Sequence, residues 1–265
     1  MPNFQVVPKT THADKRWKRY DNYHFASLDA VAPLVVQELP RALMYLPFGF
    51  IKQHDVFVLV AVLGLQSGQN LFATADGRWI GGYTPAADRG YPFQLAAAPD
   101  GRSVLIIDED SGLASDTEGE AFFDEVGNPA KADKDVLDFL SQVQSNRALT
   151  QRICAVLTER HLIQTSTITV RGETGERKVE GLYRIDEAAM NALAPEAFEA
   201  MRQPGALPIA YYQLLSMQHL QALGKIAEVH ASAQTSAQAA LPVSPTGELD
   251  LEFLNNNGTI SFGAH

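Results

Sequence analysis

The chain lacks most of the patterns that would assign it a known chemistry. Its single cysteine, Cys154, excludes a disulfide framework and is predicted to be a buried apolar thiol. There is no G-x-G-x-x-G, P-loop, H-E-x-x-H, C-x-x-C or G-x-S-x-G motif, which argues against dinucleotide redox, nucleotide hydrolysis, zinc and α/β-hydrolase chemistry. The seven histidines include no pair at the i, i+4 spacing of a helical metal site. We therefore expect no metal and assign no cofactor.

Long apolar runs are also missing. The longest, Val56–Leu65, is shorter than the roughly 20 residues that cross a bilayer. The N-terminus carries no apolar stretch typical of a secretory signal. These features predict a cytoplasmic protein without a membrane span.

Positive charge is scarce. The 265 residues carry 31 acidic and 21 basic side chains, a formal charge of -10, which disfavours nucleic acid as a main partner. The segment Lys15–Tyr20 does alternate basic and aromatic residues, a pattern that could contact nucleobases or phosphates. The favoured alternative is an N-terminal arm that packs on the domain and pairs with carboxylates. The acidic residues from 108 to 125 are interpreted as a solvated loop, with a weak cation site as the alternative.

Periodicity predicts a β-rich first half. The run Val56–Leu65 indicates a central strand buried on both faces. Shorter strands are expected at 70–73, 79–83 and 93–97, with Asp76 and Gly77 as a tight turn. A further strand is expected over Ser103–Asp108, after a turn at 99–101.

The second half changes to helical spacing. One long helix, or two with a break near 145–147, is predicted between 133 and 157, with Asp133 as its cap. A hairpin should follow, with strands at 165–171 and 179–185 and a turn at 172–175. Asp186 is predicted to cap the first of several short helices that extend to about Val229.

Strands and helices are thus partly segregated, which favours an α+β fold with a mixed or antiparallel sheet on which the C-terminal helices pack. The chain is interpreted as one domain over 1–265. Residues 231–247 are predicted to be an extended or flexible connection before a C-terminal strand at 249–254.

The densest cluster of aromatic, glycine, proline and arginine residues runs from Asn70 to Phe93. One hypothesis is an aromatic-lined groove with arginine forks that recognise an anion. The alternative is that the aromatics fill the core and the arginines pair internally. The candidate binding residues are Asn70, Arg78, Trp79, Tyr83, Arg89 and Tyr91.

Several short motifs in order resemble the bacterial SapC family, which is distinct from the peptide-transporter permease of the same name. They are Glu38-Leu-Pro-Arg, Val60–Leu65, Asn70-Leu-Phe, Asp76-Gly-Arg-Trp, Tyr83-Thr-Pro-Ala, Arg89-Gly-Tyr-Pro-Phe and Gly181–Glu187. The family usually shows Tyr-Val-Pro-Ala and a paired arginine, where this chain has Thr84 and Gly90. The resemblance implies a soluble bacterial accessory protein linked by name to surface-layer export, in settings that include outer-membrane receptors and flavin- or iron-dependent modifying enzymes.

Two functions from different classes follow. The first is an accessory protein that recognises a peptide or protein partner through the Asn70–Phe93 surface. The second is an enzyme of unassigned chemistry that acts on peptides or small metabolites, with Arg89, Tyr83 and Asp108 as its first candidate residues.

Overall fold

A computed structural model describes residues 3–98, 101–172 and 175–239. The strands are β1 (Phe4–Val6), β2 (Arg16–Trp17), β3 (Val31–Pro33), β4 (Phe48–Gln53), β5 (Val56–Val62), β6 (Phe93–Ala97), β7 (Ser103–Asp108), β8 (Ala114–Ser115), β9 (Glu120–Ala121), β10 (Ile163–Gly172) and β11 (Gly175–Ile185). The helices are α1 (Lys9–His12), α2 (Leu39–Ala42), α3 (Ala86–Arg89), α4 (Lys131–Glu159), α5 (Glu187–Asn191), α6 (Pro195–Glu199), α7 (Ala206–Ser216) and α8 (Leu220–Ala239). Antiparallel sheets with packed helices confirm the predicted α+β class.

The largest sheet has five antiparallel strands in the order β10-β11-β4-β5-β3. β5 is an interior strand, as predicted, but β4 occupies the centre of the sheet. The predicted burial on both faces holds only for Leu59–Val62, because Val56 is exposed and the next two residues are half-buried. Phe48 and Phe50 of β4 are fully buried in the main core, together with Leu157 of α4 and Ile209 of α7. The helices therefore pack on the sheet, because the apolar faces of both must be buried.

Two smaller sheets lie beside the main one. β1, β7 and β6 form one, and β8, β2 and β9 form the other. Between them lies a second core that contains the buried rings of Trp17, Phe93 and Phe122. Trp17 and Phe93 meet edge to face, with their ring centroids 4.7 Å apart. The N-terminal arm thus packs on the domain, as predicted.

The basic arm pairs with the acidic segment. β2 lies between β8 and β9, both of which belong to that segment. Lys18 forms an ion pair with Glu118, and Nε2 of His12 lies 3.0 Å from a Glu109 oxygen. The acidic segment is therefore largely a surface that receives the arm, and within the described residues no group of three or more metal-ligating side chains is found.

The predicted strands at 70–73 and 79–83 are wrong. Only one bridge, between Ala73 and Trp79, remains of that ladder. Local side chains take the backbone groups instead: Asn70 Oδ1 accepts the Phe72 amide, and Thr74 Oγ1 both accepts the Arg78 amide and donates to the Arg78 carbonyl. Such bonds compete with sheet pairing. The tight turn is confirmed, with Gly77 at a φ of +81°.

The first of the two predicted alternatives, one long helix, is confirmed: α4 runs from Lys131 to Glu159 without a break near 145–147. Its N-cap is Ala130, so Asp133 lies in the first turn rather than at the cap. The Asp133 carboxylate is buried and accepts a hydrogen bond from Trp17 Nε1 at 2.7 Å. The prediction that Asp133 caps the helix was wrong, because its carboxylate binds the indole of Trp17 in the N-terminal arm.

The C-terminal segments agree in part. Asp186 caps α5 through the Ala189 amide, and the hairpin of β10 and β11 is present. Residues 231–239 belong to α8, so the predicted extended connection does not begin at 231, since alanine and glutamine favour helix. The rest of that connection, the strand at 249–254, and residues 99–100 and 173–174 of the predicted turns lie outside the described residues. In the described part of the chain, no helix has the length and apolarity to cross a membrane.

Trp17→Phe tests the contact between the arm and α4. The change keeps the aromatic packing but leaves the buried Asp133 carboxylate without its donor, so we expect a loss of about 1–3 kcal/mol in the free energy of unfolding. Urea denaturation measures it. Trp79→Phe is the control, because Trp79 is only half-buried and donates to a backbone carbonyl. Equal small losses of unfolding free energy in both variants would contradict a stabilising role for the Trp17–Asp133 hydrogen bond.

Candidate functional site

A buried glutamate organises the C-terminal part of the Asn70–Phe93 motif. Glu38 ends a 3₁₀ turn over Val36–Glu38 and is 6% exposed. Its Oε1 accepts the amide of Val35 at 2.8 Å. Its Oε2 accepts the amide of Ala86 at 2.7 Å and the hydroxyl of Tyr83 at 2.8 Å. We call Glu38, Tyr83, Ala86 and Arg89 the Glu38 network.

The charge of Glu38 is the product of opposing effects. Burial raises the pKa of its carboxyl above the ordinary value, although the two amides, the Tyr83 hydroxyl and the Arg89 guanidinium act to lower it. A carboxylate that accepts several N–H and O–H donors is stabilised as an anion. The pKa of Tyr83 is raised, first by burial and then by the charge of Glu38. Tyr83 therefore stays a hydroxyl donor.

Arg89 is oriented by this network but remains accessible. One of its terminal nitrogens donates to Tyr83 Oη at 3.0 Å and lies 3.8 Å from Glu38 Oε2. Its guanidinium carbon lies 5.5 Å from the Tyr83 ring centroid and 5.4 Å from that of Phe139. The side chain is 39% exposed. An arginine held in this way through one nitrogen keeps its other N–H donors available for a further acceptor.

The motif aromatics belong to a packed cluster. Tyr91 stacks on Phe25 with a centroid distance of 3.9 Å and an interplanar angle of 6°. Trp79 contacts Tyr23 and donates its Nε1 hydrogen to the Tyr83 carbonyl at 3.0 Å. Both remain half-buried, whereas Phe93 is in the interior. The core alternative therefore fits Phe93 and applies in part to Trp79 and Tyr91.

The other predicted binding residues are engaged locally. Asn70 is buried, and its amide donates to the Ala26 carbonyl at 3.0 Å. Arg78 is exposed and pairs with Asp76, with Nε 2.6 Å from Oδ2. The hydrogen bond from Thr74, followed by that from Arg78, lowers the pKa of the Asp76 carboxyl to about 2. The structure thus brings Tyr83 and Arg89 together. Asn70 instead bonds to nearby backbone groups, and Arg78 pairs with Asp76 in the same turn.

Asp108, an enzyme candidate, has structural partners. Its Oδ1 accepts the amide of Asn3 at 2.8 Å and that of Asp110 at 3.3 Å. Its Oδ2 accepts the Tyr91 hydroxyl at 3.3 Å. The carboxylate therefore ties β1 and a 3₁₀ turn to the motif, and this role explains its burial.

Sequence reasoning missed Asp88, which lies in α3 beside Arg89. The residue is 8% exposed, and its Oδ2 is a buried oxygen without a hydrogen-bond partner among the described residues. Burial, followed by the charges of Asp29 and Glu38, raises the pKa of its carboxyl to about 7. No spacing pattern marks this residue or Glu38, because both depend on contacts between distant segments.

The two positions that depart from the family pattern have local explanations. A Cβ atom at Gly90 would lie 2.7 Å from Leu140 Cδ2 of α4, so that side chain occupies the space beside the glycine. Thr84 Oγ1 lies 3.3 Å from the Tyr23 hydroxyl, so the threonine is within hydrogen-bonding distance of the aromatic cluster.

Glu38→Gln tests the network. The amide would place an N–H₂ group opposite one or more of the three existing donors, so we expect the free energy of unfolding to fall by about 2–3 kcal/mol. Chemical denaturation measures it, with the exposed Glu125→Gln as the matched control. A loss no greater than that of the control would show that the carboxylate does not hold the motif.

Asp88→Asn tests the raised pKa. Because the folded pKa of about 7 exceeds the ordinary value of 3.8, the folded state retains a proton that the unfolded state releases. The Asp88 contribution to stability is therefore full below about pH 4, declines by up to about 1.4 kcal/mol per pH unit and is lost above about pH 7.

The difference in unfolding free energy between Asp88→Asn and the unaltered chain isolates this effect. Asp133, whose pKa burial also raises to about 7, contributes to both chains and cancels. We expect the variant to gain relative stability from about pH 4 to 7 and to hold it above. A difference in unfolding free energy that does not change between pH 4 and 7 would refute the raised pKa of Asp88. The exposed Asp138→Asn controls for loss of one acidic group.

Comparison with known proteins places the chain in one family. The SapC family model matches residues 7–223, which include the Glu38 network, Asp88 and both cores. No curated protein and no solved structure matches the chain. The family match spans the main sheet and the helices up to the first turn of α8. The chain belongs to the SapC family.

Proposed function

We propose that the protein is an accessory protein that binds a peptide or protein partner, and that Arg89 recognises a carboxylate of that partner. The partner would lie across the exposed part of the central motif. The family resemblance supports a link to surface-layer or outer-membrane protein systems, and the sequence features support a cytoplasmic setting.

The geometry of Arg89 carries the proposal. Within the described residues, its guanidinium donates one hydrogen bond, to Tyr83, although the group has five N–H donors. Its ion pair with Glu38 is long, at 3.8 Å, because that carboxylate already accepts three closer donors. A planar cation with free donors and a fixed orientation matches a carboxylate in two-point contact.

Exposed apolar side chains of the motif and of the residues after α2 would extend the surface. Tyr45 is 49% exposed, and its ring lies against Gly82, where an added Cβ would come within 2.3 Å of ring carbons. Met44 and Ile80 are also exposed. Tyrosine, methionine and arginine are enriched at protein–protein interfaces, so these exposed groups fit the proposal.

An enzyme remains the second candidate, because of Asp88. A buried carboxyl with a pKa near 7 can donate and accept protons at neutral pH. Its substrate would have to reach Asp88 beside Arg89, and Tyr83 would serve as a hydrogen-bond donor. Asp108 is a weaker candidate than the sequence suggested, since its oxygens already have structural partners.

Variants at Arg89 test the binding proposal. We expect Arg89→Ala to lose the partner captured from native lysate, and Arg89→Lys to weaken it, because lysine keeps the charge but not the planar fork. The expected stability cost of Arg89→Ala is below about 1 kcal/mol, as for a partly exposed ion pair. Pull-down with mass spectrometry and thermal melts measure both effects.

Arg78→Ala is the matched control, because Arg78 belongs to the same motif but pairs with Asp76. Capture by this variant should equal that of the unaltered chain. Once the partner is identified, amidation of the recognised carboxylate should reduce its affinity for the unaltered chain but not for Arg89→Ala. Equal capture by Arg89→Ala and Arg78→Ala would contradict the proposal.

A further inference from the structure

A small cavity lies away from the Glu38 network, between α4 and the strands β3 and β5. Its volume is about 150 Å³. One face of α4 forms one wall, because Arg147, Thr150, Gln151 and Cys154 recur at the spacing of successive helical turns. The cavity has no role in the proposed function, so it requires a separate explanation.

The inner wall is apolar and neutral. Leu34 and Leu59 are almost fully buried, and Phe57 is half-buried. Burial raises the pKa of the Cys154 thiol to about 12, so the thiol is uncharged and is a poor nucleophile at neutral pH. This part of the cavity suits a hydrocarbon group and offers no reactive side chain.

Arg147 supplies the only formal charge among the lining residues. It is exposed, and its guanidinium has neither an ion pair nor a hydrogen bond with any residue of the ranges 3–98, 101–172 and 175–239. The positions three and four residues away on α4 are Val143, Gln144, Thr150 and Gln151, so no intrahelical acid neutralises it. An uncompensated arginine is notable in a chain with a formal charge of -10.

Two glutamines add neutral hydrogen-bonding groups at the cavity. Gln53 and Gln151 are exposed, and their side-chain amides have no hydrogen bond to another described residue. Thr150 differs, because its hydroxyl accepts the Val36 amide at 2.9 Å and donates to the Asn146 carbonyl at 2.7 Å. The groups available to a ligand are therefore one guanidinium and two amides.

We propose that this cavity binds a small monocarboxylate with a compact apolar body, whose carboxylate pairs with Arg147 while its hydrocarbon part contacts Leu34, Phe57 and Leu59. The guanidinium fork matches a carboxylate in two-point geometry. A cavity of about 150 Å³ accommodates a single aromatic ring. The proposal concerns a site distinct from the Arg89 surface and holds or fails independently of it.

Benzoate is the probe, and the single cysteine is the reporter. Because the chain has one cysteine, ¹³Cβ-cysteine labelling gives one resonance, which belongs to Cys154 in the cavity wall. Titration with benzoate should shift this resonance in a saturable way, with half-saturation at or below about 10 mM. Benzamide has the same shape without the charge, and it should bind at least about tenfold more weakly.

Arg147→Ala should weaken benzoate binding about tenfold or more, because the charged hydrogen bonds are lost. Arg152→Ala is the matched control, since Arg152 is an exposed arginine of the same helix that does not line the cavity. It should bind benzoate like the unaltered chain. Absence of a saturable shift, equal binding of benzoate and benzamide, or equal effects of the two variants would each overturn the proposal.

Discussion

The burial of the Glu38 carboxylate is the constraint on which the central motif depends. Moving an anion into the interior is costly unless its oxygens receive donors. Here the donors come from both sides: the Val35 amide is local, whereas Tyr83 and Ala86 are 45 and 48 positions away. The same contacts that satisfy the charge therefore fix the motif against the 3₁₀ turn that precedes α2, and they hold Arg89 in place.

The chain handles its excess of acidic groups in three ways. Glu38 and Asp133 are buried with donors, from amides and Tyr83 in one case and from Trp17 in the other. The segment after β7 is neutralised in part by the basic arm. Asp88 differs, because it is buried near two other acids and one of its oxygens has no partner in the described chain. Buried polar atoms without partners are rare and call for an explanation, and proton transfer at Asp88 is the explanation that the enzyme alternative offers.

Local signals were enough for the elements that depend on their own sequence. The strand over Ser103–Asp108, the hairpin of β10 and β11, and the Asp186 cap were all predicted from periodicity or capping. The strands predicted at 70–73 and 79–83 failed because Asn70 and Thr74 bind the nearby backbone. Of the site, Tyr83 and Arg89 were predicted from composition. Glu38 and Asp88 were not, because their roles arise from segments that meet only in the folded chain.

Amide exchange at Ala86 tests the central claim most directly, because that amide donates to Glu38 Oε2 and is the point where the motif meets the buried carboxylate. In the Glu38→Gln chain, exchange at Ala86 should accelerate by about tenfold or more relative to the Val62 amide, which donates to the Pro47 carbonyl in the main sheet. Equal acceleration at Ala86 and Val62 would mean that the substitution only lowers global stability, and it would contradict the account in which Glu38 holds the motif in place.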